Sequence, residues 1–405
     1  MTSTTASGLA LLGGTPVRGA DKTWPSWPVF DDTERQALLE VFDSGKWWYG
    51  ERVKRFEGEF AAFQDAAHCV TATSGTTAGE ILLQAIGLEP GDEVIVPPYT
   101  FYATASMVVR KGGVPIFVDI DDSWCMDPNR IEAAITTRTK AIMPVHLGGR
   151  VCDMDRINAI AAKRGLLVLE DACHSWGGKW KGKGTGALGK AGIFSFQASK
   201  NINAAEGGAI LSDDEELAEL CRSITNCGRS RGGAWYSHPN LGTNARLTEF
   251  QGAILSAQLA RLEMQTLTRE KNAAILNKEL AEIEGLTPQP GDRRMTRRAY
   301  HLYCLRIDPE TFGVSRDKVI EAVRAEGLPL ISEGYAIPLY EQPSIKNAKN
   351  APDYSKQECP VARDICSRSG IWIGHSALLG SEEDMRDIVA IFAKVKKHAE
   401  ALKRA

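Results

Sequence analysis

Between His68 and Ser212 short apolar, strand-like runs recur with helical or loop stretches between them: Cys69–Thr73, Val94–Val96, Ile116–Val118, Ala141–Val145, Leu166–Leu169, Ile193–Phe196 and Ala209–Leu211. Strands joined by connections long enough for a helix pair in parallel, so this alternation predicts an α/β fold with a mainly parallel sheet covered by helices. Thr76–Ile86 and Met154–Lys163 are expected as two of those helices, the second with Ile157, Ile160 and Ala161 on one face. Leu247 to Ile283 has helical composition and could carry the chain into a second unit, with Gly285 and Pro288 ending it. From Thr287 the pattern is compact α+β: a strand at His301–Ile307, a helix at Arg316–Glu326 and a closing helix from Glu382. A chain of 405 residues has room for one large and one smaller domain. The expected division is an N-terminal arm at 1–23, a large domain at 24–265 and a small C-terminal domain at 266–405, with order beginning near Trp24.

Charge and cysteine usage exclude several classes of function. With 48 basic and 51 acidic residues the net charge is -3, so no overall field draws in nucleic acid or an anionic membrane. A binding regulator would carry a separate DNA-reading module, and none is seen before Trp24 or after the closing helix. The apolar stretch Leu9–Leu12 is too short for a signal peptide, and no run approaches the roughly 20 apolar residues of a membrane span. Nine scattered cysteines, none spaced as Cys-x-x-Cys, fit a reducing cytoplasm and argue against a disulfide framework or a zinc ribbon.

In open α/β sheets ligands collect beyond the carboxyl ends of the strands, so the residues just past each run carry the functional reading. Ser74-Gly75-Thr76-Thr77 follows the first run and opens a helix. Its free amides and hydroxyls suit a phosphate, and equally an ordinary N-cap. Pro97-Pro98-Tyr99-Thr100-Phe101-Tyr102 follows the second and brings aromatic rings that could stack on a flat cofactor or pack in a core. After Leu166–Leu169 come Glu170 and Asp171, then Cys173 and His174. Asp171 could keep a pyridine nitrogen protonated, or cap a helix; His174 could bond a cofactor or a substrate. Lys200 lies in Ile193-Phe194-Ser195-Phe196-Gln197-Ala198-Ser199-Lys200-Asn201, ahead of Glu206-Gly207-Gly208. A lysine desolvated at a strand end and offered a carbonyl forms a Schiff base, and pyridoxal 5'-phosphate is the obvious carbonyl.

Two other motifs lead elsewhere. Cys173 and His174 lack a third ligand at a sensible spacing, so no metal is expected. Gly184-Thr185-Gly186-Ala187-Leu188-Gly189 has the dinucleotide-binding spacing, but it precedes a strand instead of opening a helix, and is expected to be a turn.

In chain order, Ser-Gly-Thr, the aromatic after Pro-x-Thr, Glu-Asp-Ala-x-His, Ser-Phe-x-x-x-Lys-Asn and Glu-Gly-Gly resemble the DegT/DnrJ/StrS family of aminotransferases, from about Leu9 to the C-terminus. The resemblance implies a fold-type I pyridoxal phosphate enzyme and a homodimer with active sites at the subunit interface. It implies Lys200 as the Schiff-base lysine, Asp171 as partner of the pyridinium and Phe101 stacked on the ring. Gly75, Thr76 and Ser195 would hold the phosphate, with Ser74 beside them, and Gln197 and His174 would line the pocket. Asn244 would reach the neighbouring subunit's cofactor phosphate.

Around Asn244 this chain has Thr243 and Ala245, where members acting on nucleotide-linked sugars read Gly-Tyr-Asn-Tyr-Arg. Trp24–Pro28, Gly45–Trp48, Cys227–Arg231 and Ile371–His375 resemble the glutamine:scyllo-inosose aminotransferases and the aminohydroxybenzoate synthases. The activity so implied moves an amino group from L-glutamine or L-glutamate to a keto-cyclitol or keto-sugar by ping-pong kinetics. An aromatising synthase or dehydratase using the same cofactor and an aminotransferase for nucleotide-linked keto-sugars are the alternatives. Arg229 and Arg231 are candidates to grip the donor carboxylate, and His301 and Tyr303 to meet acceptor hydroxyls.

Overall fold

A computed structural model describes residues 8–405. A seven-stranded sheet runs in the spatial order His68–Ala72, Gly208–Ser212, Ala191–Ser195, Leu167–Asp171, Thr139–Ile142, Glu93–Val96, Val114–Phe117. All its pairings are parallel except those of Gly208–Ser212, which is antiparallel to both neighbours. The expected strands are present with ends shifted by up to three residues. The carboxyl ends of the parallel strands therefore share one edge, and the reversed strand begins on that edge with Gly208. A side chain at Gly208 would put its Cβ 2.3 Å from the backbone of Ser74. The glycine lets the loop after the first strand lie against it.

Both faces of the sheet are covered. Gly75–Ala85 and Ala103–Arg110 pack on one, where Ile81, Leu82, Met107 and Ile193 are buried together. On the other, Phe56, Phe60, Phe194 and Phe196 meet beneath Leu255, Leu259 and Leu262, with Phe60 edge-on to Phe194 at 5.0 Å. The last three leucines belong to the helix Glu249–Leu280, started by a reciprocal cap between Thr248 and Gln251. Its C-terminal half places Ala273, Leu276 and Leu280 in a second core. That core backs an antiparallel sheet ordered Leu286–Pro288, Leu302–Ile307, Gly370–Gly374, Ile331–Ser332, with the helices Arg316–Ala325 and Glu382–Lys397. One unbroken helix thus joins the two cores. Among the described residues no helix is long and apolar enough to cross a membrane.

The arm differs from expectation. Order does not wait for Trp24; residues 1–7 lie outside the described part, and from Gly8 onward the segment is docked. Leu9 is fully buried in the second core, and the amides of Ala10 and Val17 donate to Glu326 at 2.8 and 2.9 Å. The buried Arg18 guanidinium pairs with Asp384 at 2.6 Å and Asp387 at 2.9 Å and lies over Trp24. Small and polar composition hid these anchors because each works through a partner more than 300 positions away. Replacing Arg18 with Met leaves Asp384 without its cation and Asp387 with Lys22 alone at 3.4 Å. A loss on the order of 3 kcal/mol is expected in urea denaturation.

Candidate active site

A cavity of about 700 Å³ opens at the shared strand edge and is walled by residues of both units and by Trp27. Ser74, Gly75, Thr76, Phe101, Asp171, His174, Ser195, Gln197, Lys200 and His301 all line it. Strand ends bring in Asp171 and Ser195, while the turns that follow bring in Ser74, His174 and Lys200.

Asp171 is the best-fixed of these groups. Its N–H donates to Pro144 O at 2.9 Å and its carbonyl accepts from His146 N at 3.1 Å, so the backbone is tied into the neighbouring strand. The carboxylate accepts from Thr104 Oγ1 at 2.7 Å and from the Cys173 amide at 3.2 Å. Thr104 in turn meets the Thr100 hydroxyl at 3.0 Å. Thr104 was missed in the sequence because its helix, Ala103–Arg110, was not anticipated; the spacing Thr100-x-x-x-Thr104 was the available clue.

At the start of Gly75–Ala85, Ser74 Oγ caps the Thr77 amide at 3.1 Å, so the cap reading holds. The amides of Gly75 and Thr76 lie ahead of that bond at the positive end of the helix, where anions are favoured. A Cβ on Gly75 would come within 2.9 Å of Ser195 Cβ and 3.1 Å of Cys173 Sγ. The cradle is therefore tight and closed to any side chain at position 75.

Lys200 Nζ lies 5.8 Å from the Trp176 ring centre. Desolvation lowers its pKa, opposed by Cys173 and Asp171. Next to it stand three histidines, His174 and His301 with ring centres 4.4 Å apart and His375 at 5.5 Å from His301. His174 Nδ1 faces the Gly148 amide at 3.4 Å and accepts, leaving Nε2–H as its donor. Asn201 donates its amide to Ala299 O and so presents Oδ1 to His301 Nδ1 at 3.0 Å, leaving His301 Nε2 as an acceptor. Burial lowers the pKa of all three well below the ordinary value, and Lys200 lowers each further.

The glycine-rich motif is a turn, as its position before a strand suggested. Glu170 accepts from the amides of Gly186, Leu188 and Gly189 and from His146 Nε2 at 2.9 Å. It serves the residue beside Asp171 and binds no nucleotide phosphate.

Four predicted residues lie outside the cavity. Tyr303 is turned away: on a strand successive side chains alternate, so Leu302 faces the cavity and Tyr303 the second core. Its assignment to acceptor hydroxyls is withdrawn. Arg229 and Arg231 line a separate cavity of about 410 Å³ with Trp48, Arg222 and Arg246. They follow the helix Glu215–Thr225, and Arg231 pairs with Glu219 on it at 3.5 Å, so neither reaches the Lys200 cavity of its own chain. Asn244 is exposed, bridged to Asn226. Conversely Trp27, Tyr335, Trp372 and His375 line the cavity and were not anticipated as site residues.

The model of the DegT/DnrJ/EryC1/StrS aminotransferase family matches residues 28–393. The chain belongs to that family. It is 38% identical to the 3-amino-5-hydroxybenzoate synthase of Amycolatopsis mediterranei, over 91% of this chain and 96% of that protein. It is also 38% identical to the L-glutamine:2-deoxy-scyllo-inosose aminotransferase of Streptomyces kanamyceticus, over 98% of this chain and 99% of that one. A crystal structure of 3-amino-5-hydroxybenzoic acid synthase superposes with a TM-score of 0.86 at 36% identity, covering 95% of this chain and 99% of that one. The chain is thus an aminotransferase-family enzyme with the expected α/β fold.

The histidine wall carries a pH signature. An unfolded histidine takes up a proton below about pH 6.5, whereas these remain neutral, so the unfolded state binds more protons and stability falls as the pH drops through that value. Replacing His174 with Gln should reduce the slope of unfolding free energy against pH, between pH about 6.5 and 5.5, by up to one proton, about 1.4 kcal/mol per pH unit. An unchanged slope in urea titrations would mean that His174 is protonated in the folded protein.

Proposed function

We propose that this aminotransferase moves an amino group from L-glutamine or L-glutamate to a keto-cyclitol, or to a keto-sugar that carries no nucleotide, using pyridoxal 5'-phosphate held in the Lys200 cavity. One observation carries this reading: the amine of Lys200, the carboxylate of Asp171 and the helix start at Ser74–Thr76 wall the same cavity. The fit is chemical as well as spatial. A phosphate needs donors, a pyridine nitrogen needs an anion, an aldehyde needs an amine, and the cavity supplies each with an aromatic ring, Phe101, at its rim.

When bound, the cofactor supplies an aldehyde and an electron-withdrawing ring. Ser74, Gly75, Thr76 and Ser195 would hold its phosphate, Phe101 would cover the ring, and Gln197 and His174 would border it. Asp171, held by Thr104, keeps the proton on the ring nitrogen. Lys200 Nζ, made easier to deprotonate by desolvation, would be the base that takes the proton from the donor's α-carbon, and its conjugate acid would supply the proton when the acceptor is aminated. Donor and acceptor use one cavity in turn, which gives ping-pong kinetics.

Substrate choice rests on the histidine wall of the same cavity. His174 Nε2–H and His301 Nε2 offer one donor and one acceptor side by side, which matches a ring bearing neighbouring hydroxyls. Trp27, Tyr335 and Trp372 supply apolar cover for such a ring. The departure from Gly-Tyr-Asn-Tyr-Arg and the scyllo-inosose aminotransferase relatives support an acceptor without a nucleotide. In the homodimer we assign Asn244, Arg229 and Arg231 to the partner's site, since they lie outside their own chain's cavity. The nine unpaired cysteines suit a cytoplasmic setting.

The test is a half-reaction. Protein reconstituted with pyridoxal phosphate should convert the cofactor to its amine form on addition of L-glutamine or L-glutamate, and Lys200→Ala should slow this by roughly a thousand-fold or more. Full-rate conversion by Lys200→Ala would sink the mechanism. Screening keto-cyclitols, free keto-sugars and nucleotide-linked keto-sugars then identifies the acceptor; turnover of the nucleotide-linked compounds alone would overturn the acceptor class.

A second reading, an aromatising synthase, is favoured by the 38% identity to 3-amino-5-hydroxybenzoate synthase. It predicts loss of water from an aminated cyclohexenone carboxylate without any amino donor, which a pure aminotransferase does not catalyse.

A further inference from the structure

Arg269, in the middle of the helix Glu249–Leu280, is completely buried. No carboxylate pairs with it among the described residues, and its Nε and Nη1 have no hydrogen-bond partner there. Burial alone acts on its pKa, lowered to about 9, so it remains a cation at neutral pH. A buried guanidinium without a counter-ion costs several kcal/mol of desolvation. Its contacts show what it does in return.

Nη2 of Arg269 lies 3.1 Å from Nδ1 of His375, just past the strand Gly370–Gly374. A guanidinium only donates, so Nδ1 accepts and the proton of the neutral ring is on Nε2. Nε2 lies 3.0 Å from the carbonyl oxygen of Ser199 and donates to it. Ser199 is the residue before Lys200. The same guanidinium stands 5.6 Å from the ring centre of Trp27, which sits edge-on to His375 at 4.5 Å. Trp27 donates its indole N–H to the carbonyl of Ala198 at 3.1 Å. The two carbonyls immediately ahead of Lys200 are therefore held by two rings that both rest on Arg269.

The positive charge matters as much as the hydrogen bond. Flipping the His375 proton to Nδ1, or adding a second one, would aim an N–H at the guanidinium's own N–H. The other groups near His375 are Lys200 and His301, and no carboxylate is among them to favour a protonated ring. Neutral His375 with the proton on Nε2 is the one form that satisfies both neighbours.

We propose that Arg269 is a positioning residue for Lys200: by locking His375 in its Nε2–H form and backing Trp27, it fixes the Ala198–Ser199 backbone from which the reactive amine projects. This rests on the reading of Lys200 as the reactive amine. The lock itself is testable apart from that reading.

Nitrogen-15 NMR of the cofactor-free protein should find His375 in the Nε2–H form alone, and an Nδ1–H form in the unaltered protein would overturn the lock without any variant. Arg269→Lys, which keeps a cationic donor, should preserve that form, whereas Arg269→Leu should yield mixed or protonated His375. In the cofactor-loaded enzyme Arg269→Leu should slow the half-reaction by about 10- to 100-fold, the scale expected of a misplaced reacting group. In a His375→Gln background, where an amide N–H can serve Ser199 without help, the same substitution should change the rate by less than about threefold. Unaltered His375 in Arg269→Leu, or an equal rate loss in both backgrounds, would refute the assignment and leave Arg269 a core residue. Failure of the Lys200 reading would show separately, as an undiminished half-reaction in Lys200→Ala.

Discussion

The site depends on one strand pairing. Leu167–Asp171 runs parallel to Ala191–Ser195 with Asp171 opposite Ile193, and the Ala172 amide continues the ladder to Ile193 O at 3.0 Å. Because side chains alternate along a strand, a slip of one residue would exchange Asp171 with Glu170. The exchange would be costly on both sides: Glu170 is committed to three turn amides and His146, and Asp171 to Thr104 and Cys173. Two adjacent acids with separate sets of donors therefore fix the register, and the register places the carboxylate at the same edge as Ser195 and the lysine turn.

Charge is distributed across the cavity with the same economy. At the Asp171 end an anion is surrounded by donors; at the Lys200 end, Lys200 and the buried Arg269 stand near three histidines with no carboxylate between them. Burial, reinforced by the cations, keeps the histidines neutral, and each neutral ring has its proton assigned by a different neighbour: Gly148 for His174, Asn201 for His301, Arg269 for His375. Burial alone would disfavour protonation but leave both neutral tautomers available. The second partner removes that freedom, so His174 and His301 keep a fixed pattern of one donor and one acceptor.

How much of this was legible in the sequence follows the range of the forces involved. The strands, and the placing of the Ser74 helix start, Asp171 and Lys200 past them, could be read because each is announced by its own neighbours: an apolar run followed by a hydroxyl, a carboxylate or a lysine. Thr104 could not, since its importance comes from an oxygen 67 positions away, nor could Arg269, whose partner is 106 positions away. His301 and Tyr303 illustrate a subtler limit. Both were offered to the substrate; two positions apart they would share a strand face, and they part only because the strand begins at Leu302, which leaves His301 outside its alternation. Arg229 and Arg231 were chosen for chemistry alone, and chemistry does not say on which side of a sheet a loop emerges.

The turn that carries Lys200 belongs to the large sheet and is steadied by its own bonds through Gln197 and Ala205, yet as many bonds reach it from remote segments. Trp27, just past the arm, holds Ala198, His375 of the second core holds Ser199, and the Ala299 carbonyl and His301 hold Asn201. Lys200 is thus flanked on both sides by bonds to elements that also line the cavity. Any ligand that presses on Trp27, His301 or His375 acts on a group already bonded to the lysine's own backbone. A rotation of the second core by a fraction of an ångström at His375 would be transmitted through a single hydrogen bond to Ser199, because packed side chains leave no slack to absorb it. The buried, unpaired cation Arg269 thus sits where Trp27, the long helix and the second core converge on the backbone of the lysine turn, so its desolvation cost is met by a site that holds two carbonyls at once.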